Sequence, residues 1–324
     1  MLDLLKEKGF QLANDVQLTP LTGGVSCDIH LVESGADTFV VKRALAKLKV
    51  KQDWYANTNR NCYEQRYLQY VGEHLPEIVP KVIAAYEHDN FFVMEFLSGD
   101  FRDWKKWLLE RQVDNKIAAL IGKSLAQIHA LSWDDPKARA LFDSDVNFHE
   151  LRLSPYFEAM FERHPQLKLV LKDLCDSIAK NKQCLVHGDF SPKNILVDGQ
   201  QIKIVDCEVA WYGDPAFDIA FMLHHLLLKS YAFKDASFIE AARVFYQSYV
   251  DQLGQKKLAT ISPSHLCLIT QMLMLARIDG KSPVEYLDPQ STNLLRQNIL
   301  QMLSEKVSDI TIIFDWASHQ ISSN

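Results

Sequence analysis

Two short apolar runs joined by a tight turn constrain the fold of this chain more than any other stretch. Residues 195–197 and 202–205 flank Asp198-Gly199, a pair that tolerates the positive φ of a tight hairpin turn. The sequence therefore predicts a β-hairpin. A hairpin brings the residues before its first strand and those after its second strand to the same end. Polar residues stand in both places: His187, Asp189, Asn194, Asp206 and Glu208.

The spacing of these polar residues is typical of a site that transfers a phosphoryl group. In a kinase catalytic loop an Asp accepts the proton of the substrate hydroxyl, an Asn further along holds Mg²⁺, and a second Asp beyond two strands binds the metal. Asp189, Asn194 and Asp206 match these three positions. Amide and carboxylate oxygens suit a hard cation such as Mg²⁺. The alternative is a surface hairpin with scattered acids, and the joint agreement of spacing, residue type and strands argues against it.

A family resemblance rests on these same residues. The segment His187-Gly-Asp189-Phe-Ser-Pro-Lys-Asn194, with Gly rather than Arg after His, resembles the aminoglycoside phosphotransferase and choline kinase superfamily. Asp206-Cys-Glu208 and the residues from Trp211 onward are similar to its next block. The resemblance implies an α+β, bilobal protein-kinase-like fold. A small β-rich N-lobe over residues 1–97 would bind the nucleotide, and a larger, mainly helical C-lobe over 98–324 would hold the catalytic loop, metal site and acceptor pocket.

The same resemblance implies a reaction. The chain is expected to move the γ-phosphate of ATP to a hydroxyl of a small molecule, with Asp189 as the base and Mg²⁺ held by Asn194 and Asp206. ATP and Mg²⁺ are the implied cofactors. A nucleotide-binding regulatory pseudokinase without turnover is the alternative, and it would be favoured if a motif residue were missing.

Local features are also similar to methylthioribose kinase. They include Lys42 with Trp54, Arg60 and Glu64. The pair Asp206-x-Glu208 is a further such feature, because that family holds its metals with an Asp-x-Glu pair, which makes Glu208 a candidate ligand.

Two departures from that family leave the acceptor open. Asn194 is present, although that family lacks it, and Arg277 is the one candidate for its paired substrate-binding arginines. A sugar, an amino alcohol such as choline and an antibiotic therefore all stay as candidate acceptors.

Residues upstream of the hairpin predict nucleotide contacts. Gly24 and Ser26 lie in a glycine-containing turn between two strand-like segments. Glycines let backbone N–H groups approach phosphate oxygens, although a plain turn is an equal alternative. The resemblance implies that Lys42, in the next strand, pairs with the α- and β-phosphates. Glu64 lies on the apolar stripe of the following helix, where a carboxylate needs a buried partner such as Lys42; Glu73 is the fallback.

The segment 91–97 reads as a strand that ends at a break near residues 98–100. In the resembling fold, this connector presents main-chain groups to adenine. The implied contacts are the backbone groups of Glu95 and Leu97. A bare edge strand would have the same pattern.

The residues after Asp206 favour a small acceptor over a protein. Twelve positions separate Asp206 from Asp218, too few for the activation loop and A-P-E motif of a protein kinase. Asp218 precedes an apolar helix, where it could cap that helix or accept hydrogen bonds from catalytic-loop amides. His129 is interpreted as a packed helix-end residue. Candidates for acceptor contacts are Trp211, Arg277 and Asp279, with a glycine-closed helix end as the alternative for the last two. Arg152 and Tyr156 are weaker candidates, because they lie in a long segment, residues 134–165, that could help to form the acceptor pocket. The favoured interpretation of both is as surface residues.

Composition limits the partners. A formal net charge of −6 argues against nucleic acid, because phosphate binding favours a basic face. The six cysteines form no C-x-x-C pair, which is typical of reduced thiols in a cytoplasmic protein. The longest apolar run, residues 266–276, is too short to cross a bilayer, so no membrane partner is expected. The sequence gives no indication of oligomeric state.

Overall fold

The computed structural model describes residues 1–21, 27–45, 59–97 and 99–322. The chain divides into two compact units. The first contains Met1–Phe101 and Lys203–Glu208, and the second contains Arg102–Ile202 and Val209–Asn324. The expected α+β class is confirmed, with a β-sheet in the N-terminal region and helices in the C-terminal region. The predicted domain boundary between residues 97 and 98 stays a prediction.

The first unit is built on a five-stranded antiparallel sheet in the order β1-β2-β3-β5-β4. Lys42 is in β3, opposite Ile29 on one side and Phe92 on the other, so it lies in the middle of the sheet. The strands are β1 Gln17–Pro20, β2 Cys27–Ser34, β3 Asp37–Ala44, β4 Val82–Tyr86 and β5 Phe91–Glu95.

Among the described residues of this unit, two α-helices accompany the sheet. Helix α1, Leu2–Glu7, inserts Leu5 into a cluster with Val32, Val41 and Phe91 on one face. Helix α2, Arg60–Gly72, carries Glu64. The sequence predicts that this helix starts near Thr58, a residue outside the described ones. The apolar side of α2 is buried at Tyr67, Leu68 and Val71.

The second unit is mainly helical, as expected. Its α-helices are α3 Trp104–Leu109, α4 Asn115–Ser132, α5 Pro136–Leu141, α6 Asp145–Phe148, α7 Ser154–Tyr156, α8 Lys168–Lys180, α9 Pro215–Phe233, α10 Ser237–Leu253, α11 Gln255–Leu258, α12 Pro263–Asp279, α13 Pro289–Ser304 and α14 Ile310–Ser322. Helix α9 is buried on nearly all sides and packs against α10, α12 and α14. Helices α4 and α10 approach each other closely at Gly122. A Cβ at this position would lie only 2.2 Å from the Phe245 carbonyl oxygen.

Short strands frame the loop that carries the predicted base. Strand β7, Cys184–Val186, precedes the loop and pairs with β10, Trp211–Gly213. Strand β8, Ile195–Val197, follows it and pairs with β6, Arg102–Asp103. Strand β9 is Ile202–Ile204.

The turn of the predicted hairpin is confirmed. Asp198 Oδ1 accepts hydrogen bonds from the backbone N–H groups of Gln200 and Gln201 at 2.9 and 2.7 Å. Gly199 has a φ of +97°, a conformation that glycine adopts without a Cβ penalty.

The start of α9 differs from the prediction. The helix begins at Pro215, and its N-cap is Asp214, whose side chain accepts a hydrogen bond from the Ala216 N–H at 3.0 Å. Asp218 lies in the first turn and does not cap the helix. The reason is the local sequence Asp-Pro, because a cap followed by proline at the first helical position is a strong start signal.

The structure bears on the membrane prediction in one respect. Over the residues that it describes, none of the helices is both long and apolar enough to span a lipid bilayer.

Candidate active site

A buried lysine held by two carboxylates forms the group of candidate residues in the first unit. Lys42 Nζ lies 2.8 Å from Glu64 Oε1 and 2.7 Å from Asp206 Oδ1. Lys42 and Glu64 are almost inaccessible, whereas the Asp206 side chain is 29% exposed. The structure thus contains the Lys42–Glu64 pair that the helical stripe predicted. It also adds Asp206 as a second partner.

The charges in this cluster depend on one another. Burial by itself would lower the pKa of Lys42, but the carboxylates of Asp206 and Glu64 outweigh it and hold the pKa well above its usual value. Burial raises the pKa of Glu64, against the opposing effect of the Lys42 ammonium. Lys42 therefore stays a cation, and its charge is what makes a carboxylate tolerable at the buried Glu64 position.

Asp206 has an uncommon backbone conformation. Its φ is +62°, in the left-handed region that non-glycine residues seldom adopt and that Asp tolerates better than most. Conformations of this kind cost free energy and persist where the surrounding contacts fix them. At Asp206 one such contact is the ion pair with Lys42.

Glu208 is already engaged by an arginine. Arg60 Nε lies 3.0 Å from Glu208 Oε2, and the Arg60 guanidinium also donates to the Leu45 carbonyl at 2.6 Å. Arg60 is 1% exposed, so this pair belongs to the interior of the first unit. As a metal ligand Glu208 would have to share its carboxylate with Arg60, and that role stays a prediction.

The second unit carries its candidate residues on the loop between β7 and β8. The backbone N–H groups of His187 and Gly188 donate to the two carboxylate oxygens of Asp218 at 2.7 and 2.9 Å. Asp218 is fully buried. Of the two roles predicted for Asp218, the structure shows the one in which it binds the loop amides.

Asp218 is itself supported from behind. His129 Nε2 lies 3.4 Å from Asp218 Oδ2, and His129 Nδ1 lies 2.8 Å from the Tyr249 hydroxyl. All three side chains are buried. The interpretation of His129 as a packed helix residue is confirmed, and its contacts help to fix the carboxylate that holds the loop.

Gly188 can only be glycine in this geometry. Its φ is +74°, and a Cβ would lie 2.6 Å from the Val209 carbonyl oxygen. A side chain would therefore push the loop away from the Val209 backbone. The Gly between His187 and Asp189 is thus explained by close backbone packing.

Asp189 is held by two cations. Its Oδ2 lies 3.1 Å from a terminal nitrogen of Arg152 and 2.9 Å from Lys193 Nζ. Arg152 Nε also donates to the Gly188 carbonyl, and a terminal nitrogen donates to the Leu151 carbonyl at 2.6 Å. Two adjacent cations favour a charged carboxylate, which is the form that accepts a proton. The carboxylate is therefore fixed by both charge and geometry.

The interpretation of Arg152 as a surface residue is wrong. Its side chain is only 11% exposed, because it reaches under the loop to Asp189 and Gly188. It lies in a π-helical segment, His149–Leu153, far from the loop in sequence. The proximity of this segment to the loop is a tertiary property, and the local sequence contained no signal for it.

Asn194 is oriented by the same loop. Its side-chain nitrogen donates to the Asp189 carbonyl at 2.9 Å. The nitrogen end of the amide therefore faces the loop, and the amide oxygen is the end suited to a cation. Asn194 and Asp206 are hard oxygen donors of the type that Mg²⁺ uses, commonly with one or two carboxylates plus substrate phosphates. Over the described part of the chain, no group of three His, Cys, Asp or Glu residues is arranged to hold a metal by itself.

The described residues include only some of the other predicted nucleotide contacts. Gly24 and Ser26 lie outside the described residues, as does Trp54. The Glu95 N–H donates to the Lys81 carbonyl at 2.9 Å. This N–H group is therefore not available to the adenine ring. The Glu95 carbonyl and the main chain of Leu97 stay as the predicted adenine contacts.

Trp211 has a packing role. It is 1% exposed, stacks on Phe148 with 4.0 Å between ring centres, and donates from its indole nitrogen to Asp145. Such a side chain offers almost no surface to a ligand. Its predicted contact with an acceptor stays a prediction that these contacts do not support.

Asp279 takes part in an ion-pair network at the end of α12. Its two oxygens each lie 2.7 Å from Arg296 nitrogens, and His164 Nε2 lies 2.8 Å away. Burial would raise the pKa of Asp279, but hydrogen bonds from Arg296 and His164 lower it below its usual value. Gly280 follows as the C-cap, so the helix-end alternative describes Asp279. Arg277 contacts the Ser282 hydroxyl at 2.7 Å.

Comparisons with known proteins show which kinases this chain is similar to. Among curated proteins, the chain is 28% identical over 218 residues to methylthioribose kinase of Bacillus velezensis, a match that covers 59% of this chain and 55% of that protein. It is 26% identical over 236 residues to methylthioribose kinase of Geobacillus kaustophilus, covering 64% and 59%. The chain thus spans somewhat over half the length of these relatives.

Solved structures share the fold. A choline kinase from Cryptosporidium parvum aligns with a TM-score of 0.58 at 13% identity, covering 94% of both chains. The amicoumacin kinase hAmiN aligns with a TM-score of 0.55 at 16% identity, covering 95% of this chain and 94% of that one. These alignments confirm the protein-kinase-like fold.

A match to a family model shows which family the chain belongs to. The family described as "Phosphotransferase enzyme family" matches residues 17–253, which include the candidate residues of both units. The chain belongs to this phosphotransferase family.

Proposed function

We propose that this protein is an ATP-dependent phosphotransferase that moves the γ-phosphate of ATP to a hydroxyl of a small molecule. The observation that carries the proposal is the buried Lys42 between Glu64 and Asp206. A lysine paired with a helix glutamate and placed beside a metal aspartate is the arrangement that kinases use to orient phosphates.

The proposed chemistry assigns a task to each part. Asp189 accepts the proton of the attacking hydroxyl, and Arg152 and Lys193 keep its carboxylate charged and in place. Lys42 orients the α- and β-phosphates. Bound Mg²⁺ would neutralise charge on the phosphate oxygens, and Asn194 and Asp206 are the residues proposed to hold it, with Glu208 as a further candidate.

Rate enhancement in this scheme comes from positioning and charge. A general base contributes about 10² to 10⁴ in rate. The loop that carries Asp189 has little freedom, because Asp218 holds its amides and Gly188 packs on the Val209 backbone. A base fixed in this way needs little reorganisation when the hydroxyl attacks.

The nucleotide is proposed to bind to the N-terminal lobe, residues 1–97, and the acceptor to the C-terminal lobe, residues 98–324. Main-chain groups at Glu95 and Leu97, and the turn with Gly24 and Ser26, are proposed nucleotide contacts. The named relatives are methylthioribose kinases, so a sugar hydroxyl is the first acceptor to test. No nucleic-acid or membrane partner is proposed.

The test measures ATP binding and turnover separately. ATP binding is followed by calorimetry, and Mg²⁺-dependent ADP release is followed with 5-methylthioribose, choline and an aminoglycoside. We expect release that depends on an acceptor and that falls at least about 10²-fold in Asp189→Asn. Asp173→Asn, the same change at an exposed position of α8, should leave release unchanged.

Three outcomes would count against the proposal. Failure to bind ATP would remove its basis. Equal release by Asp189→Asn would remove the assigned base. Tight ATP binding without acceptor-dependent release would favour the regulatory alternative, a nucleotide-binding protein without turnover.

A further inference from the structure

A group of polar side chains, most of them hydrogen-bond donors, lies around one buried lysine in the second unit. Lys229, on α9, is 1% exposed. Its Nζ donates to the His225 carbonyl at 3.3 Å and lies 5.3 Å from the centre of the Tyr286 ring. Arg277, near the end of α12, is close enough to act electrostatically on this lysine and on His224. We call His224, His225, Lys229, Arg277 and Tyr286 the donor cluster.

The donor cluster lies near the predicted base. Arg152, which contacts Asp189, places its guanidinium carbon 5.7 Å from the centre of the Phe221 ring. The Phe221 ring centre is in turn 4.9 Å from that of His224 and 5.6 Å from that of His225. One aromatic side chain therefore separates the cluster from the arginine that holds Asp189.

The cluster has positive charge and no matching acid. Over the described residues, no carboxylate lies within ion-pair distance of Lys229 Nζ or of the Arg277 guanidinium. The charged groups that act on Lys229 are both cations, Arg277 and Lys105. Burial, with a smaller contribution from these cations, lowers the pKa of Lys229 to about 7. A buried cation without a counter-charge is costly, and an anionic ligand would offset that cost.

Several polar atoms of the cluster are buried without a hydrogen-bond partner among the described residues. They are His224 Nε2, Arg277 Nε and the Tyr286 hydroxyl. His224 Nδ1 faces the Ala220 carbonyl at 3.2 Å, so Nδ1 carries the proton and Nε2 is an acceptor. Nε2 suits a hydroxyl that donates, while Arg277 and Tyr286 suit an oxygen that accepts. Buried polar groups in native proteins are normally hydrogen-bonded, so these unpaired atoms are open to hydrogen bonds from a ligand or from water.

A cationic acceptor fits this cluster poorly. A quaternary ammonium group is usually held by aromatic faces, but the Tyr286 face already has the Lys229 ammonium over it. A polycationic antibiotic would need carboxylates, and Asp279, the nearest acid along α12, is bound by Arg296 and His164.

We propose that the donor cluster is the acceptor subsite and that it takes a polyhydroxylated molecule bearing an anionic group, either a carboxylate or a phosphate. This proposal rests on the proposed phosphotransfer, because it defines the molecule whose hydroxyl reaches Asp189. The anionic group would contact Lys229 and Arg277, and a hydroxyl would donate to His224 Nε2.

Equilibrium binding tests the proposal without depending on turnover. Calorimetry with the full chain, Mg²⁺ and a non-hydrolysable ATP analogue would compare four hexose-based probes: sorbitol, gluconate, glucose 6-phosphate and glucosamine. We expect at least one anionic probe to bind about tenfold or more tightly than sorbitol, with glucosamine weakest. Gluconate and glucose 6-phosphate distinguish a carboxylate from a phosphate ligand.

Variants of the cluster test whether its residues cause the preference for an anionic probe. Lys229→Met and Arg277→Gln should each remove most of the advantage of the anionic probe, and either one suffices if the other fails to fold. Lys123→Met removes the same charge from an exposed position on α4 and should keep the preference. Asp189→Asn should lose turnover yet keep the preference, which separates this subsite from the chemistry.

Several results would overturn the subsite. Glucosamine could bind as tightly as the anionic probes, or the preference could survive in both Lys229→Met and Arg277→Gln. Binding of the ATP analogue with no binding of any of the four probes would also reject the subsite, and it would leave the proposed phosphotransfer standing.

Discussion

Two buried lysines in this protein have opposite electrostatic surroundings. Lys42, in the first unit, contacts two carboxylates at 2.8 and 2.7 Å. Lys229, in the second, contacts a carbonyl oxygen and an aromatic ring. Both are nearly inaccessible, yet the pKa of Lys42 is raised and that of Lys229 is lowered to about 7. Burial is the same in both, so the neighbouring charges decide the protonation of a buried lysine.

The difference indicates what each region is built to bind. Around Lys42 the protein supplies both signs of charge, and the acids that balance the lysine are also suited to a metal cation. Around Lys229 it supplies donors and positive charge without an acid among the described residues. The first region is suited to a phosphate–metal pair, and the second is suited to a ligand that brings its own negative charge.

The largest predicted effect is that of Lys42→Met. Glu64 would stay buried without its counter-charge, and breaking one partner of a buried pair costs about 3–5 kcal/mol. We expect the free energy of unfolding to fall by about that amount, measured by urea unfolding at neutral pH. The phosphotransfer rate should fall by about 10³-fold, because a cation that neutralises phosphate is lost.

A double variant separates these two effects. Lys42→Met combined with Glu64→Met removes both charges and should recover much of the stability, while activity stays low. If Lys42→Met alone left the free energy of unfolding unchanged, the charge-balance account of this region would be wrong.

The next effect concerns the cations on Asp189. Arg152→Met should lower kcat by about 10²-fold, because without the Arg152 guanidinium the Asp189 carboxylate can move from its reacting position. The KM for ATP should change little. Steady-state kinetics with saturating ATP would show this split, and Arg163→Met, at a side chain that is 62% exposed, is the control. A change in KM for ATP with kcat preserved would contradict the assigned role.

Lys229→Met should raise the free energy of unfolding, whereas Lys42→Met should lower it. Because the folded-state pKa of Lys229 is lowered from 10.5 to about 7, the folded protein binds fewer protons than the unfolded chain between these values. The resulting cost is full below pH 7 and disappears as the pH rises through 10.5. We expect the variant to be more stable by about 1.4 kcal/mol or more at pH 6.5, since that is the value of one pKa unit.

Urea unfolding at pH 6.5 and at pH 9.5 measures this effect. The gain from Lys229→Met should shrink at the higher pH. Destabilisation at both pH values would mean that Lys229 is balanced by a charge that the described contacts do not include, and the comparison with Lys42 would fail.

The smallest effect is expected at the exposed ion pair between Arg66 on α2 and Glu87. Arg66 contacts Glu87 through two hydrogen bonds of 2.8 and 2.7 Å, but both side chains are over 30% exposed. Arg66→Ala should lower the free energy of unfolding by about 1 kcal/mol or less, and added salt should reduce the difference. A loss as large as that of Lys42→Met would show that burial does not set the energy of ion pairs in this unit.

Local features of this molecule could be predicted from its sequence, whereas tertiary ones could not. The hairpin turn at Asp198-Gly199 and the Lys42–Glu64 pair followed from turn chemistry and helical periodicity. Arg152 could not be found in this way, because only the folded chain brings it to Asp189. The helix start at Pro215 was readable from the Asp-Pro pair, but the aspartate at 218 drew the prediction away from it.

Lys229 shows the same limit at the candidate subsite. In the sequence it follows three leucines in an apolar helix, a pattern that does not say which side chains face the lysine. The positions of Arg277 and Tyr286 depend on how α12 and the residues after it pack. The proposed preference for an anionic acceptor therefore rests on contacts that form only in the folded structure.

Phosphorus NMR of the reaction tests the central claim most directly. Wild-type protein and Asp189→Asn would each be incubated with ATP, Mg²⁺ and an acceptor set that includes 5-methylthioribose, gluconate and choline. The account predicts a phosphomonoester signal with a hydroxylated sugar or sugar acid, formed in step with ADP and lost in Asp189→Asn. Inorganic phosphate as the sole product, or the same phosphomonoester formed at an equal rate by Asp189→Asn, would contradict it.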